Sequence, residues 1–205
     1  MDLAVLGKYL KAFAELKRNK TSGHGLAPHK PILLLCILDE IKEGRIQDNF
    51  IVLTPELVAT FQAYWKALVT DDYWQPKIEY PFRHLYQDGF WDFVQYGHIV
   101  APEPMTYSLK QLRESFDGVQ LAADLWQLLQ EREALDALHR HLLTVYFHSD
   151  SVQRESTEDF LNAAAQKLMV EAHSKFRVKK VKEGTDNGYF IRHSLFPRVV
   201  KQLYN

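Results

Sequence analysis

The sequence predicts a mainly α-helical domain with one small β element, an α+β fold, and three observations predict it. Apolar residues recur at helical spacing through most of the chain. Strand-like alternation is confined to one stretch, "FWDFVQY" at 90–96, with "HIV" at 98–100 as its partner. The 205 residues are 46% apolar and 13% aromatic, enough for a single compact core without disulfides or metal.

Taken in order, Leu3, Leu6, Leu10, Phe13, Ala14 and Leu16 set a helix over 3–18. "NKTSGHGLAPHKP" at 19–31 carries two glycines and two prolines and reads as a polar loop. Pro28 and Pro31 bracket His29 and Lys30 at the stiffened entrance of a buried helix over 31–43. "FIVLT" at 50–54 suggests a short strand. Thr54 then has the chemistry of an N-cap, with Pro55 at the first position of a helix reaching 69. Residues 70–108 are broken by Pro76, Pro81, Gly89, Gly97, Pro102 and Pro104 around the β element. Helices resume near 108, pause at "SFDG" (115–118), and continue over 121–130, 132–147 and 157–175. The tail ends in a short helix over 197–204.

No apolar run reaches the roughly 18 residues of a membrane-spanning helix, and the N-terminus lacks the pattern of a signal peptide. The single cysteine, Cys36, lies inside "PILLLCIL" and reads as a small core residue, which suits a reducing, cytoplasmic setting. Nine histidines invite catalytic or metal chemistry, but the spacings do not support it. His139 and His141 fall on different helix faces, and "TSGHGLAPHK" lacks the Gly-Lys-Ser/Thr ending of a phosphate cradle. Asp71-Asp72 imitates a nuclease carboxylate pair without the acid-x-Lys strand that should follow. The expectation is a recognition domain with no catalytic residue, metal or cofactor.

The near-neutral net charge of −1 conceals basic ends. Residues 1–30 hold six Lys/Arg against two acids, and residues 166–205 hold nine against three. That asymmetry fits an anion-facing surface, although solvated charged termini would give the same count. Three features make sense together on nucleic acid. His29-Lys30 stands at a helix entrance, with Ser22, Gly23 and His24 on the preceding loop. Tyr80-Pro81 is followed by Arg83 and His84, and the tail is basic. Residues 78–86 show no clear periodicity, so Tyr80 remains open between core and surface, while Phe82 reads as core.

"APHKPILLLCILDEI", "LTPELVATFQAYWKAL" and "PKIEYPFRHLYQDGFWDF" resemble, in this order, the sulfur-binding domain of phosphorothioate-dependent, McrA-like HNH (type IV) restriction endonucleases. The resemblance runs over roughly residues 5–147. It implies a sulfur-binding domain over 1–165 and a basic linker and helix over 166–205, leading to an HNH nuclease domain beyond this chain. The implied partner is double-stranded DNA carrying a phosphorothioate linkage, and a homodimer of the full-length protein is one option the sequence leaves open.

By the resemblance, Tyr80 and Pro81 match the positions that form an apolar sulfur cup. His29 and Lys30 match a His-basic pair assigned to the cup wall and to charge on the backbone. His84 stands where the family can carry a small residue. The family's later basic loop corresponds to "SFDGVQ" (115–120), which here is acidic, leaving Ser115 or backbone groups for any contact. Arg83 and Lys30 are expected on phosphate, and "TSGHG" (21–25) on base edges. Two rivals stand beside this reading. One is a modified-base (methylcytosine-type) reader using Trp65, Trp74 and Trp91 as an aromatic cage; the other is an enzyme using the histidines.

Overall fold

The computed structural model describes residues 2–105 and 107–147. The expected helices at 157–175 and 197–204, the basic tail and the boundary at 165/166 lie outside these. The described residues hold seven α-helices, a two-stranded hairpin and a three-stranded antiparallel sheet.

Helix α1 (Leu3–Ala14) starts where the Asp2 carboxylate accepts from the backbone N–H groups of Ala4 and Val5. It buries Leu6, Tyr9 and Phe13, and ends four residues earlier than its apolar pattern suggests. Leu16 stays buried just past that end. The expected polar loop after it is a short hairpin, β1 (Lys20–Thr21) paired with β2 (Gly25–Leu26). Gly23 and Gly25 take positive φ, which lets the chain reverse so tightly.

Helix α2 (His29–Lys42) begins two residues before its expected start, because Pro31 falls in the first turn, where its missing N–H costs nothing. Residues 29–38 are all buried, and α2 packs against α3, α4 and α7. It is the central post of the domain. Helix α3 (Pro55–Leu68) starts as expected, with the Thr54 hydroxyl accepting from Leu57 N–H. Beneath α2, His139 packs against Asp39 and Tyr64, all three joined by polar contacts. This histidine cluster is 2% exposed at His139 and ties α2, α3 and α7 together.

After α4 (Glu79–His84) and a 3-10 turn (Leu85–Asp88), β3 (Trp91–Gln95) forms the centre of the sheet. Its hairpin partner β4 (His98–Val100) is joined through Tyr96-Gly97, both at positive φ, the geometry of a two-residue type I′ turn. On the other edge lies β5 (Gly118–Leu121), with Phe93 opposite Val119 and Trp91 opposite Leu121. The second half of the loop expected at 115–120 is therefore strand, and its first residue, Ser115, ends a helix. The expected strand at 50–54 forms a single bridge, Ile51 to Val119, because the Asn49 side-chain amide occupies the backbone of Leu121 instead. Helices α5 (Leu109–Ser115), α6 (Ala123–Leu129) and α7 (Arg132–Tyr146) complete the domain.

Candidate functional site

Four segments meet around an open cleft of about 800 Å³. Lys17, Arg18 and Asn19 approach it from the end of α1, and Ala27, His29 and Lys30 from the entrance of α2. Tyr73, Trp74, Gln75 and Lys77 form the loop side, and Tyr80, Pro81, His84 and Gln87 come from α4 and its 3-10 extension. All five residues that the resemblance assigned to a sulfur cup, His29, Lys30, Tyr80, Pro81 and His84, thus line one cavity.

The short α4 explains how. Tyr80 and His84 are four residues apart and share a face, with Pro81 beside them in the first turn. Phe82 and Leu85 point the other way and are fully buried; Phe82 packs edge-on against Trp91, whose indole N–H donates to the Phe82 carbonyl at 2.9 Å. That anchor fixes the phase of the helix, leaving Tyr80 38% exposed in the cleft.

His29 is buried between aromatic rings, with Trp65, Trp74 and Tyr80 at centroid distances of 4.6, 5.8 and 5.8 Å. Its Nε2–H donates to the Gln75 carbonyl at 2.8 Å. Burial pushes its pKa below the usual histidine value, so the ring is neutral near pH 7 and its one N–H is already used. Burial, then the Arg83 and Lys30 charges, likewise lower the pKa of His84.

Lys30 differs from expectation in its charge. Its ammonium donates to Asp88 Oδ2 at 2.6 Å, and the two side chains are only 7% and 4% exposed. Burial pulls the lysine pKa down and Asp88 opposes the shift, so the pair contributes almost no net charge to the cleft. The other Asp88 oxygen accepts the Lys17 backbone N–H at 2.9 Å. Positive charge at the rim comes instead from residues not singled out from the sequence. Lys77 lies over the Tyr80 ring, and its ammonium donates to the Tyr80 hydroxyl at 3.3 Å. Arg18 stacks over Tyr146, and the Lys17 ammonium donates to the Gln87 carbonyl. Lys17 and Arg18 belonged to the basic count of residues 1–30, the one signal that pointed to them.

Ser22 and Gly23 form the exposed tip of the β1–β2 hairpin, outside the cleft lining. His24 ties this hairpin to the cleft. Its ring stacks on Tyr73 at 3.9 Å, its Nδ1 meets Asp71 at 2.8 Å, and its carbonyl accepts from the Trp74 indole.

Two expected contacts lie elsewhere. Arg83 is 7% exposed and turns away from the cleft, its guanidinium donating to the carbonyls of Glu103 and Pro102. Helical phase places it there, one position from His84 and off the Tyr80–His84 face. Ser115 closes α5 and does not line the cleft. The three tryptophans do not make one cage either: Trp65 and Trp74 flank His29, but Trp91 is fully buried in the sheet. Among the described residues, no group of three His, Cys, Asp or Glu side chains is placed to hold a metal, and no helix is long and apolar enough to cross a membrane.

A mainly helical domain with an aromatic cleft and a cationic rim has the make-up of a nucleic-acid-binding module. A model of the ScoMcrA-like DNA sulfur-binding domain family matches residues 7–155, and the chain belongs to that family. It is a DNA-binding domain. No curated protein matches the chain.

Proposed function

We propose that the cleft reads a phosphorothioate linkage in duplex DNA, seating the sulfur against Tyr80 and Pro81 while the rim cations hold the flanking phosphates. One observation carries this reading: Tyr80, Pro81 and His29 form an apolar wall, and the two buried donors beside it are already engaged. The His29 N–H serves Gln75, and the Lys30 ammonium serves Asp88. Sulfur is larger and more polarizable than oxygen and a poorer hydrogen-bond acceptor, so it loses little there. A phosphate oxygen would give up water without gaining a donor, at a cost of roughly 1–3 kcal/mol, or about 5- to 150-fold in affinity.

Lys17, Arg18 and Lys77 supply the sequence-independent attraction to the backbone, and the hairpin tip at Ser22-Gly23 approaches base edges. In the parent protein the domain directs an HNH nuclease to modified DNA in the cytoplasm, a restriction activity. The test is a titration at fixed salt on four matched duplexes: unmodified, Rp phosphorothioate, Sp phosphorothioate and base-methylated. Tight binding to one sulfur stereoisomer alone supports the reading. Equal binding to all four refutes it, and preference for the methylated duplex would turn the cleft over to a modified base.

A further inference from the structure

Asp88 is a buried carboxylate bonded to Lys30, which lines a cleft that receives a polyanion, and its placement calls for a reason. One oxygen is 2.6 Å from the Lys30 ammonium and the other 2.9 Å from the Lys17 N–H, so the group is fixed from two sides. It stands on the 3-10 turn directly after α4, fifty-eight residues along the chain from its lysine partner. A lysine facing a phosphate without such a partner would attract any phosphate, modified or not. Asp88 cancels that attraction and leaves the aliphatic stem of Lys30 as part of the wall.

We propose that Asp88 is a specificity-determining residue that withholds the Lys30 ammonium from ordinary phosphate oxygens, so that discrimination falls to the apolar wall. The inference rests on the proposed reading of the cleft as a phosphorothioate site. The carboxylate acts against unmodified DNA by satisfying the Lys30 ammonium beside the wall formed by Tyr80 and Pro81, so that a phosphate oxygen seated there gains no strong charge-assisted bond from it.

Two variants test it, each titrated on unmodified and Rp phosphorothioate duplexes over a range of salt. In Asp88→Asn the ammonium is freed while the side-chain shape is kept. Affinity for unmodified DNA should rise roughly tenfold and more than affinity for the modified duplex, so the preference for sulfur narrows. The salt slope on unmodified DNA should steepen by about one. In Lys30→Met/Asp88→Asn both charges go, and affinity for unmodified DNA and its salt slope should stay within about threefold and a few tenths of wild type. Unchanged binding of unmodified DNA by Asp88→Asn overturns the proposal. So does a tenfold loss by the double variant, which would mean that Lys30 holds phosphate directly; this arm decides the matter if the single variant does not fold. Wild-type protein without sulfur preference would refute the reading of the cleft, whereas the response of unmodified-DNA affinity to Asp88→Asn still reports on Asp88 alone.

Discussion

Replacing Tyr80 with Ala removes the exposed half of the apolar wall while leaving the fold anchored. The ring is 38% exposed, and the neighbours that hold α4 in place, Ile78, Phe82 and Leu85, are all buried. Sulfur resting on the ring would cover roughly 50 Å² of apolar surface, worth about 1.2 kcal/mol at ~25 cal/mol per Å². The space left by the ring also admits water, which relieves part of the penalty on oxygen, about 1 kcal/mol at the low end of the desolvation range. Together these terms should cut the preference for phosphorothioate by about 10- to 40-fold, of which a gain of up to about fivefold falls on unmodified DNA. Tyr80→Phe keeps the ring and loses only the hydroxyl that accepts from Lys77, so it should retain nearly the whole preference. Fluorescence anisotropy with matched Rp and unmodified duplexes at one salt concentration measures the ratio. Equal losses by Tyr80→Ala on both duplexes would refute the argument, because they would make the ring a general DNA contact.

Further outcomes follow from the rim and from the two cleft histidines, His29 buried and His84 exposed. Lys77→Ala should weaken binding to modified and unmodified DNA by the same factor and reduce the salt slope by about one; a loss confined to the modified duplex would place Lys77 at the sulfur instead. The depressed pKa values of His29 and His84, both caused first by burial, make the unfolded chain bind more protons than the folded one below the ordinary histidine value of 6.5. Stability should therefore be full above that value and fall as pH drops through it towards the folded pKa values. Urea unfolding between pH 7.5 and 5 should show this fall, and His29→Gln should flatten it; a stability that rises on acidification would contradict the burial of His29.

Much of this architecture was legible because its signals are local. Thr54-Pro55 announces a helix start by chemistry confined to two residues, and "FWDFVQYGHIV" carries both strands of a hairpin with its turn between them. The convergence of His29, Lys30, Tyr80, Pro81 and His84 was legible only through a resemblance, since no periodicity in 78–86 gives the phase of a six-residue helix. That same missing phase is why Arg83 was expected on DNA and is found donating to the carbonyls of 102 and 103. Lys30 shows the second kind of gap. Its charge is decided by Asp88, a partner brought to it by the fold and invisible in the run His-Lys-Pro. The strand expected at 50–54 failed for a related reason. Its alternation is real, with Ile51 and Leu53 buried and Phe50 and Val52 exposed, but the side chain of the residue just before it, Asn49, takes the backbone of distant Leu121 on the edge it would have used.

The β1–β2 hairpin has one further consequence. Its attachments all lie outside its tip: Ala27 N–H bonds to the Asn19 carbonyl, and His24 is pinned to Asp71, Tyr73 and Trp74. Ser22 therefore stands as an exchangeable nib on a fixed holder, while the positive φ of Gly23 keeps that position for glycine. On the proposed reading, a change at the nib would alter the DNA sequence preferred and leave the cleft unaltered.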